Sequence, residues 1–145
     1  IGTLYEKLMI KGASLVLKTI QQIDSGTVLT KPQIFSSKIN QAPKIFKETC
    51  KIDWSKNALD VHNLVRGLSP YPAAFFTLND KNCKLFLSQP EVQEADNEPF
   101  ISDKKTFLKV KCGTGYISIK ELQLEGKKKM TIEEFLRGTK IESVA

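Results

Sequence analysis

Apolar positions change their spacing several times along the chain, and each change marks an element. The run from Leu4 to Ile23 carries apolar residues at Leu4, Leu8, Leu15, Val16, Ile20 and Ile23 before Gly26, which reads as a helix. Thr3 followed by Glu6 has the form of a capping box, so a helix of about six turns is expected here. Residues 27–49 hold two prolines, many polar side chains and no sustained period, which reads as a linker. A stripe of three- and four-residue spacing returns at Val61, Leu64, Val65 and Leu68, with Ser55 as the expected N-cap and Gly67 and Pro70 as the stop.

Beyond Pro72 the period shortens to two. An extended run over Ala73–Leu78, a turn at Asn79-Asp80-Lys81-Asn82 and a second run over Cys83–Ser88 predict a strand pair. Glu91 to Pro99 is acidic and reads as a loop. In Thr106–Cys112 strict alternation puts Leu108, Val110 and Cys112 on one side and Phe107, Lys109 and Lys111 on the other, a half-buried strand. Gly113-Thr114-Gly115 supplies a tight turn into Tyr116–Leu124, with Ile117 and Ile119 inward. Thr131 with Glu134 repeats the capping-box form for a short last helix ending at Gly138. Four or five short strands with one helix before and one after do not fit a doubly wound sheet. The expected class is mainly β with flanking helices, built as a small Greek-key barrel.

Length and composition narrow this further. At 145 residues with 41% hydrophobic side chains the chain has material for one ordinary domain. No apolar run approaches the roughly 20 residues of a spanning helix, and the start lacks the charged and apolar regions of a signal peptide, so a cytoplasmic protein is expected. The first residue is Ile1 rather than Met and the helix begins almost at once, so the chain reads as a piece of a longer polypeptide. Cys50, Cys83 and Cys112 are odd in number, far apart and outside any metal-ligand spacing, which argues for reduced structural thiols and against a metal site. The net charge of +6 is uneven: residues 91–98 are acidic while the flanking stretches are basic, which suggests a polyanionic partner.

Three ordered blocks carry a resemblance. They are Lys51-Ile52-Asp53-Trp54-Ser55, then Val65-Arg66-Gly67-Leu68-Ser69-Pro70-Tyr71-Pro72, and then the stretch from Leu122 through Gly126-Lys127-Lys128-Lys129-Met130-Thr131 to Leu136. The chain resembles the C-terminal part of methionyl-tRNA formyltransferases from Thr3 to Gly138, although the middle block is shared with other folate-dependent formyltransferases. The resemblance implies an enzyme that moves a formyl group from 10-formyltetrahydrofolate to methionine on initiator tRNA, with a Rossmann-like catalytic domain followed by an OB-like barrel. It also implies a division: residues 1–26 as the last helix of the absent α/β catalytic domain, 27–50 as the interdomain linker, and 51–145 as the OB-like tRNA-binding domain. The family's catalytic Asn, His and Asp motifs are not found, so no catalytic, cofactor-binding or metal residue is expected in this piece. The folate would be the donor substrate of the whole enzyme.

His62 lies mid-helix with no nucleophile or carboxylate at a motif spacing and reads as a packing residue. Asp53 reads as a helix cap, Trp54 and the phenylalanines as packing, and Arg66 as a donor to carbonyls at the helix end. The lysines are the candidates for function. Lys127, Lys128 and Lys129 follow Gly126 in a turn, Lys109 and Lys111 share a strand face, and Lys104 and Lys105 precede that strand. Together with an RNA-acting family, a row of ammonium groups suits phosphates spaced along a strand. Lys44, in the linker, is a separate candidate near the tRNA acceptor end. The expected tRNA-binding set is Lys44, Lys109, Lys111, Lys127, Lys128 and Lys129, and the apolar residues of the first helix are expected to self-associate, fold back or fray. Two rival readings remain: the matching domain of a formyltetrahydrofolate dehydrogenase or a sugar-nucleotide formyltransferase, and a freestanding OB-type nucleic-acid module.

Overall fold

The computed structural model describes residues 2–35, 39–92 and 98–145, which fall into two units, residues 2–44 and 45–145. The first holds helix α1 (Gly2–Asp24), which begins one residue before Thr3, so Thr3 lies inside the helix and not at its cap. Its end follows the expected stop. Gly26 takes φ +64°, Thr27 N–H reaches Gln22 O at 2.9 Å, and Gly26 N–H reaches Ile23 O at 3.1 Å, the paired bonds of a Schellman motif. No side chain of α1 is buried, and Leu8, Leu15, Val16, Ile20 and Ile23 are each 57% to 64% exposed. Residues 27–35 and 39–44 carry neither helix nor strand.

The second unit opens with a single 3-10 turn (Glu48–Cys50) and helix α2 (Ala58–Leu68), followed by β1 (Ala74–Leu78), β2 (Lys81–Glu91), β3 (Phe100–Ser102), β4 (Leu108–Lys111), β5 (Tyr116–Leu124), β6 (Met130–Thr131) and α3 (Ile132–Gly138). All strand pairs are antiparallel, in the order β1-β2-β5-β4-β3, with β6 against β5. The sheet with flanking helices agrees with the expected class. The barrel does not close: β1 and β3 are opposite ends of the strand order, with no ladder between them among the described residues. The outer edge of β1 is occupied by other segments. Ile52 N–H donates to Phe75 O at 2.8 Å, and Thr77 exchanges both backbone bonds with Ala145.

The cap of α2 sits two residues later than expected. Asn57 Oδ1 accepts from Asp60 N–H at 2.8 Å, while Ser55 is drawn into a turn in which Asp53 Oδ1 accepts from its N–H at 3.0 Å and its hydroxyl at 2.6 Å. Gly67 lies within α2 and does not stop it. The first hairpin is tighter than expected, with only Asn79 and Asp80 in the loop, both at positive φ, and β2 starting at Lys81. At Leu85–Ser88 the pairing of β2 with β5 slips through a bulge. The alternation of β2 therefore breaks, and Ser88 turns inward while Leu87 is half exposed.

Phe76, Leu78, Leu85, Leu108, Ile117, Ile119 and Leu122 form the fully buried centre, covered by Val61, Val65 and Leu68 of α2 and by Ile132, Phe135 and Leu136 of α3. Leu108, Val110 and Cys112 point inward as the alternation requires. Thr131 and Glu134 close the expected capping box. The turn between β4 and β5 is sewn to the start of α2 by Gly113 N–H to Lys56 O at 2.8 Å and Ala58 N–H to Thr114 O at 2.9 Å. No helix among the described residues is long and apolar enough to cross a membrane. The stretch 93–97 of the expected acidic loop lies outside the described residues.

Candidate nucleic-acid interface

Five of the six candidate lysines fall into two clusters, one on β4 and one in the turn between β5 and β6. Lys109 and Lys111 are half-buried on the outward side of β4, opposite Ser118 and Tyr116 of β5, which in turn lie opposite Gln89 and Glu91 of β2. Across that three-strand strip Lys109 Nζ reaches Glu91 Oε2 at 2.6 Å, and it also stands 5.6 Å from the centroid of the Phe107 ring. The ion pair spans β5, and Ser118 beneath it is buried. Lys111 enters no ion pair among the described residues.

Lys127, Lys128 and Lys129 form the second cluster, beyond the far end of β5 and about 20 Å along that strand from the position facing Lys109. Gly126 at φ +77° makes the turn, Lys127 N–H returns to Leu124 O at 2.9 Å, and Gln123 Nε2 donates to Lys127 O at 2.9 Å. Lys129 Nζ lies 2.7 Å from Glu121 Oε2 and 5.5 Å from the Phe86 ring centroid. Lys127 and Lys128 are exposed, with no ion pair among the described residues. Lys44 is exposed, ends the 2–44 unit and belongs to no strand or helix.

The remaining polar residues build the scaffold. His62 Nδ1 stands 3.0 Å from the hydroxyl of buried Ser88, joining α2 to β2. Burial, aided by the neighbouring Arg66 charge, holds the imidazole below the ordinary histidine range, against the Ser88 bond, which raises it. The Ser55 hydroxyl and N–H likewise hold the Asp53 carboxyl below its usual range. Trp54 packs edge-on against Phe76, with ring centroids 5.4 Å apart and planes at 83°. Its Nε1 is buried with no acceptor among the described residues. Arg66 Nε donates to the Asn63 side chain at 2.9 Å. Burial pushes the thiols of Cys83 and Cys112 up to about 12 and about 11, which keeps them protonated. Among the described residues no His, Cys, Asp and Glu group has a metal-binding arrangement.

One feature escaped the sequence. A cleft of about 630 Å³ lies between β3 and the end of α3 with the segment after it, and Lys104, Arg137 and Lys140 line it. Lys104 precedes β4 in sequence while Arg137 and Lys140 lie at and beyond the end of α3, so only the fold brings the three cations to one place.

Methionyl-tRNA formyltransferase from Azobacteroides pseudotrichonymphae is 40% identical over 152 residues, covering 94% of this chain and 46% of that protein. The protein of the same name from Flavobacterium johnsoniae is 41% identical over 143 residues, covering 94% of this chain and 45% of that protein. The chain thus spans less than half the length of these curated relatives. Two structures of HypX from Aquifex aeolicus share the fold. A multiply substituted variant gives TM-score 0.59 and the complex with tetrahydrofolic acid 0.58; each is 20% identical and covers 88% of this chain, with 24% and 23% of theirs matched. Residues 44–140 match the model of the formyl transferase C-terminal domain, and the chain belongs to that family.

Proposed function

We propose that this chain is the tRNA-positioning C-terminal portion of a cytoplasmic methionyl-tRNA formyltransferase. Residues 1–26 would be the last helix of the formyltransferase domain, 27–50 the linker and 51–145 the OB-like domain that grips initiator tRNA. The observation that carries this reading is the identity of about 40% along 94% of the chain, confined to under half of each relative. Formyl transfer from 10-formyltetrahydrofolate belongs to the other half of the enzyme, and this portion supplies affinity and register through phosphates with little base identity. The pairing pattern ranks the candidate lysines: among the described residues Lys111, Lys127 and Lys128 offer ammonium groups outside ion pairs, whereas Lys109 and Lys129 already hold carboxylates.

The test is initiator tRNA binding across about 50 to 200 mM salt, where each phosphate contact adds on the order of 0.7 to 0.9 to the log–log slope. A Lys127→Glu, Lys128→Glu variant should bind more weakly and with a smaller slope, while Glu91→Gln, which frees Lys109, should bind more tightly. Equal affinities and slopes for wild type and the lysine variant would remove the basic turn from the interface.

A further inference from the structure

The cleft beside β3 has two walls, and each is fixed by a side chain that bonds backbone. On one side Asp103 accepts from Lys105 N–H at 2.9 Å, Thr106 N–H at 2.7 Å and Phe107 N–H at 3.1 Å, while Ser102 Oγ accepts from Lys104 N–H at 3.0 Å. These bonds build the turn in which Lys104, one of the residues lining the cleft, takes φ +64°, a left-handed conformation that a lysine adopts at a cost. On the other side Asn79 donates to Lys140 O at 2.6 Å and accepts from Glu142 N–H at 2.8 Å and Ser143 N–H at 3.2 Å. The segment carrying Lys140 and Ile141 is therefore anchored to the first hairpin, and Arg137 enters from the last turn of α3.

The chemistry of the lining is mixed in a particular way. Lys104, Arg137 and Lys140 face one carboxylate, Glu142, and none of the three cations forms an ion pair among the described residues. Phe100 packs against the core but also lines the cleft, with Ile141 across from it on the anchored segment. An aromatic wall beside a cluster of cations suits one flat base with its phosphate, and about 630 Å³ is room enough for a nucleotide.

We propose that this cleft binds an unpaired nucleotide of the RNA, its phosphate held by Lys104, Arg137 and Lys140 and its base laid on Phe100. The proposal rests on the reading of this domain as an RNA binder, and it assigns a single-strand contact distinct from the phosphate row at Lys111, Lys127 and Lys128. An acidic peptide would satisfy the cations but leave the aromatic wall without a stacking partner.

The experiment uses the full chain and three probes: a short single-stranded oligoadenylate, a blunt RNA duplex and hexaglutamate. Oligoadenylate should bind, and an Arg137→Gln, Lys140→Gln variant should weaken it by about tenfold or more with a salt slope lower by about one to two. Phe100→Leu should weaken it by about fivefold or more at unchanged slope. Lys127→Gln with Lys128→Gln should weaken the duplex more than the oligoadenylate. Should Phe100→Leu lower the melting temperature, Lys104→Gln, an exposed change, carries the test in its place. Oligoadenylate binding that ignores the cleft variants, or hexaglutamate binding as tightly as the oligonucleotide, overturns the proposal. Loss of tRNA binding in the lysine-turn variant with no cleft effect would sink the cleft alone. Cleft-dependent oligoadenylate binding by a chain that ignores tRNA would sink the tRNA reading instead.

Discussion

Gly113→Ala is expected to be among the most damaging single-methyl additions to this fold. A Cβ at Gly113 would stand 2.0 Å from Ser55 O, 2.9 Å from Ser55 C and 3.2 Å from Lys56 O, all of them backbone atoms that no rotamer change can move. Relief requires a shift of more than about 1 Å between the β4–β5 turn and the start of α2, since ordinary C···O contacts begin near 3.2 Å. That shift breaks the two bonds sewing these segments together, Gly113 N–H to Lys56 O and Ala58 N–H to Thr114 O. Each is worth about 0.5–1.5 kcal/mol net, and residual overpacking adds about 1–3 kcal/mol. The sum is about 4 kcal/mol, or about 15–30 °C in melting temperature for a domain of this size. Thermal and urea unfolding followed by circular dichroism measure it. Gly67→Ala is the internal control of opposite sign: its Cβ would meet nothing within 4 Å, and α2 gains about 0.5–1 kcal/mol from losing an interior glycine. A Gly113→Ala loss below about 1 kcal/mol would show that the turn and α2 are not clamped as the distances say.

Two further outcomes are expected. His62 has a depressed folded pKa, so the unfolded chain binds its proton more readily; stability should fall as pH drops from the ordinary histidine value of about 6.5 toward the depressed one, and His62→Gln should flatten that part of the profile. A pH profile from pH 7 to 5 that is identical in the two proteins would refute burial of the imidazole as its cause. Deleting residues 2–26 should leave the unfolding midpoint of the 45–145 unit nearly unchanged, because no side chain of α1 is buried, and a collapse of that midpoint would show that the helix belongs to this core.

The sequence was readable where one side chain period or one local bond decides the outcome. Leu108, Val110 and Cys112 alternate over enough residues to set the face of β4, and Thr131 with Glu134 satisfies its own capping box without help from the fold. It was ambiguous where neighbours compete for one role. Asp53, Ser55 and Asn57 are all good caps within five positions, and Asp53 captures Ser55, leaving Asn57 to cap α2. It was silent where an element is too short to show a period, as in β3 and β6, or where a bulge resets the alternation, as between Leu85 and Ser88 of β2. Closure of the barrel was inferred from strand number, yet the edge of β1 is taken by Ile52 and Ala145 in place of another strand.

The same distinction governs the lysines. A lysine's chain position says where its charge is carried, but its worth to a polyanion depends on what it already holds, and those partners lie across the sheet. Lys109 is 18 positions from Glu91 and meets it only because β2 and β4 flank β5; Lys129 meets Glu121 through the β5–β6 hairpin. A phosphate approaching Lys109 or Lys129 must displace a carboxylate or bear its repulsion, so the exchange gains little beyond what the ion pair already provided. Lys111, Lys127 and Lys128 present no such competitor among the described residues. The two paired lysines therefore act as fasteners, each also beside an aromatic ring, Phe107 or Phe86, and the affinity of the proposed interface should follow the other three cations. This makes Glu91 and Glu121 the informative positions: neutralising either adds no cation, so any gain in RNA affinity measures how much charge the sheet was withholding.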